Sequence, residues 1–249
     1  MFLNLLYSSV ETGDELLSNL TTSQAFLMII VVAVAGMIVQ WRLRSVVSKY
    51  SKVALPAGLT GAQIAEKMLA DHRIYDVKVV HTGGFLTDHF DPRNKTVNLS
   101  DDVYNGRSIT AAAIACHECG HAVQHAMGYA PLQMRSALVP LVNFSSRLAT
   151  WVVLAGLIMT ASSGSEVVCW IGVGLMCMSA LFSIITLPVE YNASDRALAW
   201  LQSSGTLSRG EMEGAKISLR WAARTYLVAA LSAIASILYY VALINGRRR

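Results

Sequence analysis

A chain of 249 residues in which 54% are hydrophobic and only 14% are charged is too apolar for an ordinary soluble domain and too short for several domains. This composition indicates a membrane protein with one modest polar domain. The formal net charge is +4, but the basic residues are spread along loops beside hydrophobic segments, so no nucleic-acid partner is indicated.

Four hydrophobic runs approach the roughly 20 residues that a helix needs to span a bilayer. They extend over residues 24–41, 138–159, 167–189 and 225–244. The second run contains Asn143 and Arg147, and an ionisable residue at that depth must pair, reach the interface or face a polar cavity. The pattern predicts a mainly α, multi-pass protein with about four membrane helices in the lipid bilayer.

Charge on the two sides of the first run predicts its orientation. The acidic residues before it are Glu11, Asp14 and Glu15, and the basic residues after it are Arg42, Arg44, Lys49 and Lys52. A cleaved signal peptide would instead begin with basic residues, so we expect a retained helix. The positive-inside rule places the N-terminus outside and the following segment in the cytoplasm. Four crossings would put the Arg247–Arg249 tail outside, against the same rule.

The same reasoning predicts five parts. Residues 1–41 form the N-terminal segment and first membrane helix, 42–137 a cytoplasmic domain, 138–189 a membrane hairpin, 190–224 a second cytoplasmic segment, and 225–249 the last helix and basic tail.

The part spanning residues 42–137 has the pattern of a small α+β domain. Residues 59–69 predict an amphipathic helix that Thr60 caps, and residues 77–80 have strand character. Two extended runs, 83–90 and 96–100, are joined by a turn and predict an antiparallel β-hairpin.

A second helix is predicted from Ser108 to about Met127, with Gly128 as its stop. It carries the sequence His117-Glu118-Cys119-Gly120-His121. Residues four apart lie on one face of a helix, so both histidines can reach one metal ion, with the Glu118 carboxylate beside it. This H-E-x-x-H pattern is typical of zinc hydrolases.

Catalytic zinc usually takes three protein ligands, so a third must come from elsewhere. His125 continues the same helix face but lies about 12 Å of helix rise from His117, too far for one ion. Glu190 is the better candidate, since it follows the third hydrophobic run on the cytoplasmic side, in a segment with small residues that allow close helix packing. The alternative is that Glu190 is an interfacial acid ending a membrane helix.

The H-E-x-x-H helix, followed after two membrane segments by Glu190-Tyr191-Asn192-Ala193-Ser194, resembles the bacterial membrane gluzincins. The upstream segments 86–92 and 97–100 make it most similar to the YugP-type neutral zinc metallopeptidases, over nearly the whole chain. It is more distantly similar to HtpX and the CAAX prenyl endopeptidases, in which an E-x-x-x-D segment supplies a glutamate ligand and an aspartate that orients a zinc histidine. Ser194 stands in the place of that aspartate, and a hydroxyl contributes less charge.

The resemblance implies one Zn²⁺ held by His117, His121 and Glu190 in a zincin-like domain. A water polarised by the zinc would lose its proton to Glu118 and attack a peptide carbonyl. A further donor to the oxyanion is expected. The candidates are Tyr191, His89 and Arg196.

Gluzincins bind substrate as an added strand along an edge strand near the motif helix. The resemblance implies that this edge is residues 96–100 here, namely Thr96, Val97, Asn98 and Leu99 with the following serine. The alternative is a hairpin that only covers the core.

These inferences predict a zinc-dependent endopeptidase of the bacterial cell membrane, with its catalytic domain in the cytoplasm and peptides or membrane proteins as substrates. One alternative is a membrane scaffold or assembly factor with a structural zinc site. Another is a zinc hydrolase of a lipid amide. Glu118 separates the first alternative from the enzyme, because a structural site needs no general base.

Overall fold

The computed structural model describes residues 19–246, apart from the side chain of Ser163. The acidic residues Glu11, Asp14 and Glu15 and the Arg247–Arg249 tail, on which the predicted orientation partly depends, lie outside this range. The described helices and strands are α1 (Thr22–Tyr50), α2 (Gly61–Asp71), β1 (Lys78–Thr82), β2 (His89–Asp91), β3 (Thr96–Ser100), α3 (Asp101–Tyr104), α4 (Ile109–Ala126), α5 (Ala130–Ser163), α6 (Val167–Ser203) and α7 (Arg209–Gly246).

The predicted fold class is confirmed. The described part of the chain is mainly α, and α1, α5, α6 and α7 are each long and apolar enough to cross a membrane. These helices extend beyond the hydrophobic runs. In particular, α6 continues through Pro188 to Ser203, so Glu190 lies within a helix and not at its end. The polar residues after position 190 favour helix as strongly as the apolar residues before it, and only hydrophobicity changes there.

Two compact units can be distinguished by their internal contacts. The membrane-helix unit contains the described residues up to Met37, Ala137–Ile184 and the residues from Leu227 onward. Its α5 and α6 segments pack closely, because a Cβ atom on Gly156 would lie 2.4 Å from the backbone nitrogen of Cys169. Small residues allow such close contact between apolar helices.

The polar unit consists of Ile38–Ser136 and Ile185–Tyr226. Its core surrounds α4, which is buried along most of its length. Helix α2 packs on α4 and begins with a capping box, in which the Thr60 and Gln63 side chains each accept a hydrogen bond from the other residue's backbone N–H.

A three-stranded sheet in the order β1-β3-β2 packs on the same core. Strand β1 is parallel to β3, and β2 is antiparallel to β3. The predicted hairpin is present, but its first strand is short. The chain leaves extended conformation before His89, with positive φ angles at Gly84 (109°) and Leu86 (56°).

The prediction that residues 96–100 form an edge strand is wrong. Strand β3 is the central strand, because Lys78–Thr82 pairs along its other side. Val97 and Leu99 are fully buried, and the backbones of Thr96 and Asn98 lie between two neighbouring strands. These four residues therefore cannot accept an added substrate strand, and the exposed edges of the sheet are β1 and β2.

Candidate metal centre

Helix α4 begins and ends as its sequence predicts. The Ser108 side chain caps it by accepting a hydrogen bond from the backbone N–H of Ala111 at 3.2 Å, and Gly128 follows its last turn with a positive φ of 65°. The small residues between these points let the surrounding helices approach. A Cβ atom on Gly120 would lie only 2.6 Å from the carbonyl oxygen of Ala193 on α6. Because Gly120 has no side chain, the backbones of α4 and α6 can come into contact at this point.

That contact brings three candidate ligands together. The Nε2 atoms of His117 and His121 lie 3.2 Å and 3.5 Å from Oε2 of Glu190. The ligand atoms of the three residues all lie within 4.8 Å of one another. His121 and Glu190 are buried and His117 is nearly so, so the arrangement is held by packing.

The donor set and its spacing fit zinc. Two imidazoles and one carboxylate are a ligand combination that catalytic zinc sites use. Tetrahedral coordination with bonds of about 2.05 Å separates neighbouring ligand atoms by about 3.3 Å. The two distances to Glu190 agree with that value. Glu190 is only 1% exposed, and a buried carboxylate costs free energy unless it is paired or binds a cation, which favours a metal ion at this position.

Gln124 orients His121. Its Oε1 accepts a hydrogen bond from Nδ1 of His121 at 3.0 Å, which leaves Nε2 of His121 free to bind a metal. The Gln124 amide then donates to the carbonyl of Val189 at 2.8 Å and to the Asn192 side chain at 3.0 Å. Arg196 donates to the same Asn192 oxygen at 2.8 Å. The orientation of His121 is thus tied to the backbone of α6.

Ser194 is the partner of the other histidine. Its Oγ lies 3.1 Å from Nδ1 of His117 and accepts the ring proton when Nε2 faces the ligand cluster. The serine therefore lies where the resemblance implies that an orienting group belongs.

The second oxygen of Glu190 is close to an arginine. Nη1 of Arg135 lies 3.2 Å from Oε1, although the angle does not suit a hydrogen bond. The contact is an ion pair that neutralises part of the buried charge, and Oε2 lies on the side of the two histidines.

A cavity of about 190 Å³ opens beside the ligand cluster, and we call it the metal cavity. His117, Glu118 and Glu190 line one side of it, and Tyr226 on α7 lines another. The Tyr226 side chain interacts electrostatically with both Glu118 and Glu190. Glu118 is 8% exposed and is one of the residues that line this cavity.

Two pKa shifts describe the electrostatics of this region. Burial lowers the pKa of His121, but hydrogen bonding to Glu190 and the nearby Glu118 carboxylate outweigh burial and raise it. Burial raises the pKa of Asp88, which also lines the cavity, although Ser100 partly opposes this by donating from its backbone N–H at 2.7 Å. The side chains of Asp88, Glu118 and Glu190 line the cavity, and this acidic lining suits a cation.

The other predicted side chains do not line the metal cavity. Tyr191 is exposed, and His89 is exposed with its Nδ1 directed at the Thr87 carbonyl. Arg196 is directed at Asn192 and Met127. The His125 ring lies against the Phe90 ring, with centroids 5.7 Å apart.

The chain is similar in sequence to known proteins. A protein family described as "Putative neutral zinc metallopeptidase" matches residues 25–245. A Bacillus subtilis (strain 168) protein named "Putative membrane protease YugP" is 41% identical over 209 residues, which cover 84% of this chain and 91% of the relative. No solved structure matches the chain.

Proposed function

Because the chain belongs to the neutral zinc metallopeptidase family, we propose that it is an integral-membrane endopeptidase in which His117, His121 and Glu190 bind one Zn²⁺ and Glu118 is the general base. The observation that carries this proposal is the convergence of the three ligands beside a cavity that Glu118 also lines. The three ligands come from two helices, and His117 and Glu190 are 73 residues apart in the chain.

Bound zinc would supply a Lewis acid that polarises a peptide carbonyl and increases the acidity of a water. Side chains of the protein carry out the proton transfer and orient the ligands. Glu118 accepts the proton of the attacking water and passes it to the leaving amine. Gln124 and Ser194 keep both imidazoles in the tautomer that presents Nε2 to the ligand cluster.

We further propose that Tyr226 donates the hydrogen bond that stabilises the oxyanion. It lines the metal cavity, whereas Tyr191 and His89 do not, and the Arg196 guanidinium is engaged with Asn192. A phenol also keeps its proton at neutral pH, which makes it a donor to a developing negative charge.

The location we propose is the cytoplasmic face of a bacterial cell membrane. Four apolar helices and the name of the relative support a membrane protein. The basic residues after the first membrane helix support the cytoplasmic side for the catalytic unit. Peptides or exposed segments of membrane proteins are the substrates that such a site can reach.

The direct test is the Glu118→Gln variant of the full-length protein in detergent. It removes the base but keeps the side-chain volume, so we expect bound zinc to stay at the parent level and casein cleavage to be lost. Glu66→Gln, on the exposed face of α2, is the matched control and should cleave like the parent. Zinc binding without cleavage in the parent itself would instead support a scaffold with a structural zinc site.

A further inference from the structure

A second cavity, of about 510 Å³, adjoins the metal cavity, and we call it the distal cavity. The two share three lining residues, Val47, Leu86 and Ile114, which come from α1, the β1–β2 loop and α4. These three side chains form the boundary between the cavities. The metal cavity, at about 190 Å³, is too small for a peptide segment, whereas the distal cavity has the size of a ligand site.

Helix α4 forms a continuous floor for both cavities. Ala111 lines the distal cavity, Ile114 lines both, and Glu118 lines the metal cavity. The rise from Ala111 to Glu118 is about 10 Å, which is the length of about three extended residues. A substrate whose cleaved bond lies beside Glu118 would therefore reach the far end of the distal cavity with its third residue.

The two cavities differ in charge. Asp88, Glu118 and Glu190 line the metal cavity, and no lysine or arginine among residues 19–246 does. Of the charged residues in the described part of the chain, Lys52, Arg107 and one acid line the distal cavity. Neither cation has an ion-pair partner among residues 19–246, so both are available to a ligand.

We propose that the distal cavity binds the substrate and selects a peptide with a carboxylate about three residues from the cleaved bond. The inference rests on the proposed peptidase function. Leu86 and Ile114 would contact an apolar residue next to the cleaved bond, and Lys52 and Arg107 would attract the carboxylate. That carboxylate belongs either to an acidic side chain or to a chain terminus.

The test uses the full-length protein in detergent and one peptide with Glu, Gln or Lys at the second, third or fourth position on either side of the bond. We expect kcat/KM for Glu at the third position on one side to exceed that for Lys about tenfold, since two exposed charge pairs are worth about that much. A second set of peptides ends at this position, either with a free carboxylate or with an amide. Preference for the free acid would identify a chain terminus as the carboxylate source.

The decisive variant is Lys52→Glu/Arg107→Glu. It should reverse the preference, so that Lys is favoured over Glu at the same position. Lys49→Glu/Arg93→Glu changes net charge equally at residues that do not line the cavity and should keep the parent preference. A parent without charge preference, or a reversal variant that behaves like the parent, would overturn the inference.

A binding measurement separates failure of the inference from failure of the proposed function. Fluorescence anisotropy on the zinc-loaded Glu118→Gln variant follows the same peptides without cleavage, and the Glu peptide should bind more tightly than the Lys peptide. Cleavage that depends on Glu118 but shows no charge preference would refute only the distal-cavity assignment. If the cations instead bind anionic lipid, activity would depend on the phosphatidylglycerol content of vesicles and charge reversal would leave peptide preference unchanged, which would also overturn it.

Discussion

Among single residues, Tyr226 has a proposed role that one substitution can test, namely that its hydroxyl donates a hydrogen bond to the oxyanion. The Tyr226→Phe substitution removes one hydrogen-bond donor and keeps the ring that lines the metal cavity. We expect kcat for peptide cleavage to fall about 100-fold, because loss of one oxyanion donor has an effect of this size, while KM and bound zinc stay near parent values.

Tyr191→Phe is the matched control, since that side chain is exposed and away from the cavity. It should leave kcat unchanged. Steady-state kinetics of both variants gives the comparison. Equal rates for Tyr226→Phe and the parent would show that another group stabilises the oxyanion.

The sequence could indicate some of these residues and not others. Helical spacing indicated His117, Glu118 and His121, and Glu190 was indicated by its position after the third hydrophobic run and by the resemblance. Gln124 could have been found, because it lies three residues after His121 on the same helix. Tyr226 and Arg135 carried no local signal, since only the packing of separate helices brings them to Glu190.

At the scale of helices and strands, the contact between α4 and α6 determines whether the ligands meet. Gly120→Ala would place a methyl group 2.6 Å from the Ala193 carbonyl, so one helix must move. We expect a loss of about 1–3 kcal/mol in the free energy of unfolding and weaker zinc binding.

Gly210→Ala is the control, because a Cβ atom at that position meets nothing within 4 Å. It should be neutral or slightly stabilising. Thermal unfolding with and without a chelator measures stability and metal linkage together. If Gly120→Ala matched the parent in unfolding temperature and in the effect of the chelator, α4 and α6 would not be in close contact at Gly120.

Local sequence pattern predicted one strand pairing of the sheet but not the other. The hairpin between β2 and β3 was predictable, because a turn joins neighbouring segments. The parallel pairing of β1 with β3 was not, because it joins segments that the β1–β2 loop and strand β2 separate in the chain. The complete burial of Val97 and Leu99 is a consequence of that pairing, and it explains why an edge position was wrongly expected.

At the scale of the whole molecule, the orientation in the membrane remains a prediction that labelling can check. We propose that Arg93, in the β2–β3 turn, is cytoplasmic and that Ser165, between α5 and α6, is outside. An impermeant maleimide added to intact cells should label Ser165→Cys at once and Arg93→Cys only after permeabilisation. The parent protein gives the background from its native cysteines, and the opposite labelling pattern would reverse the proposed topology.

We propose that two histidines on α4 and one carboxylate on α6 together bind the zinc. The zinc content of purified Glu190→Ala tests this, measured beside the parent and Asp195→Ala, which removes an exposed carboxylate from the same helix. We predict about one zinc per chain in the parent and in Asp195→Ala, and little or none in Glu190→Ala after dialysis. If Glu190→Ala keeps zinc as tightly as the parent, Glu190 is not the third ligand and the proposed site is wrong.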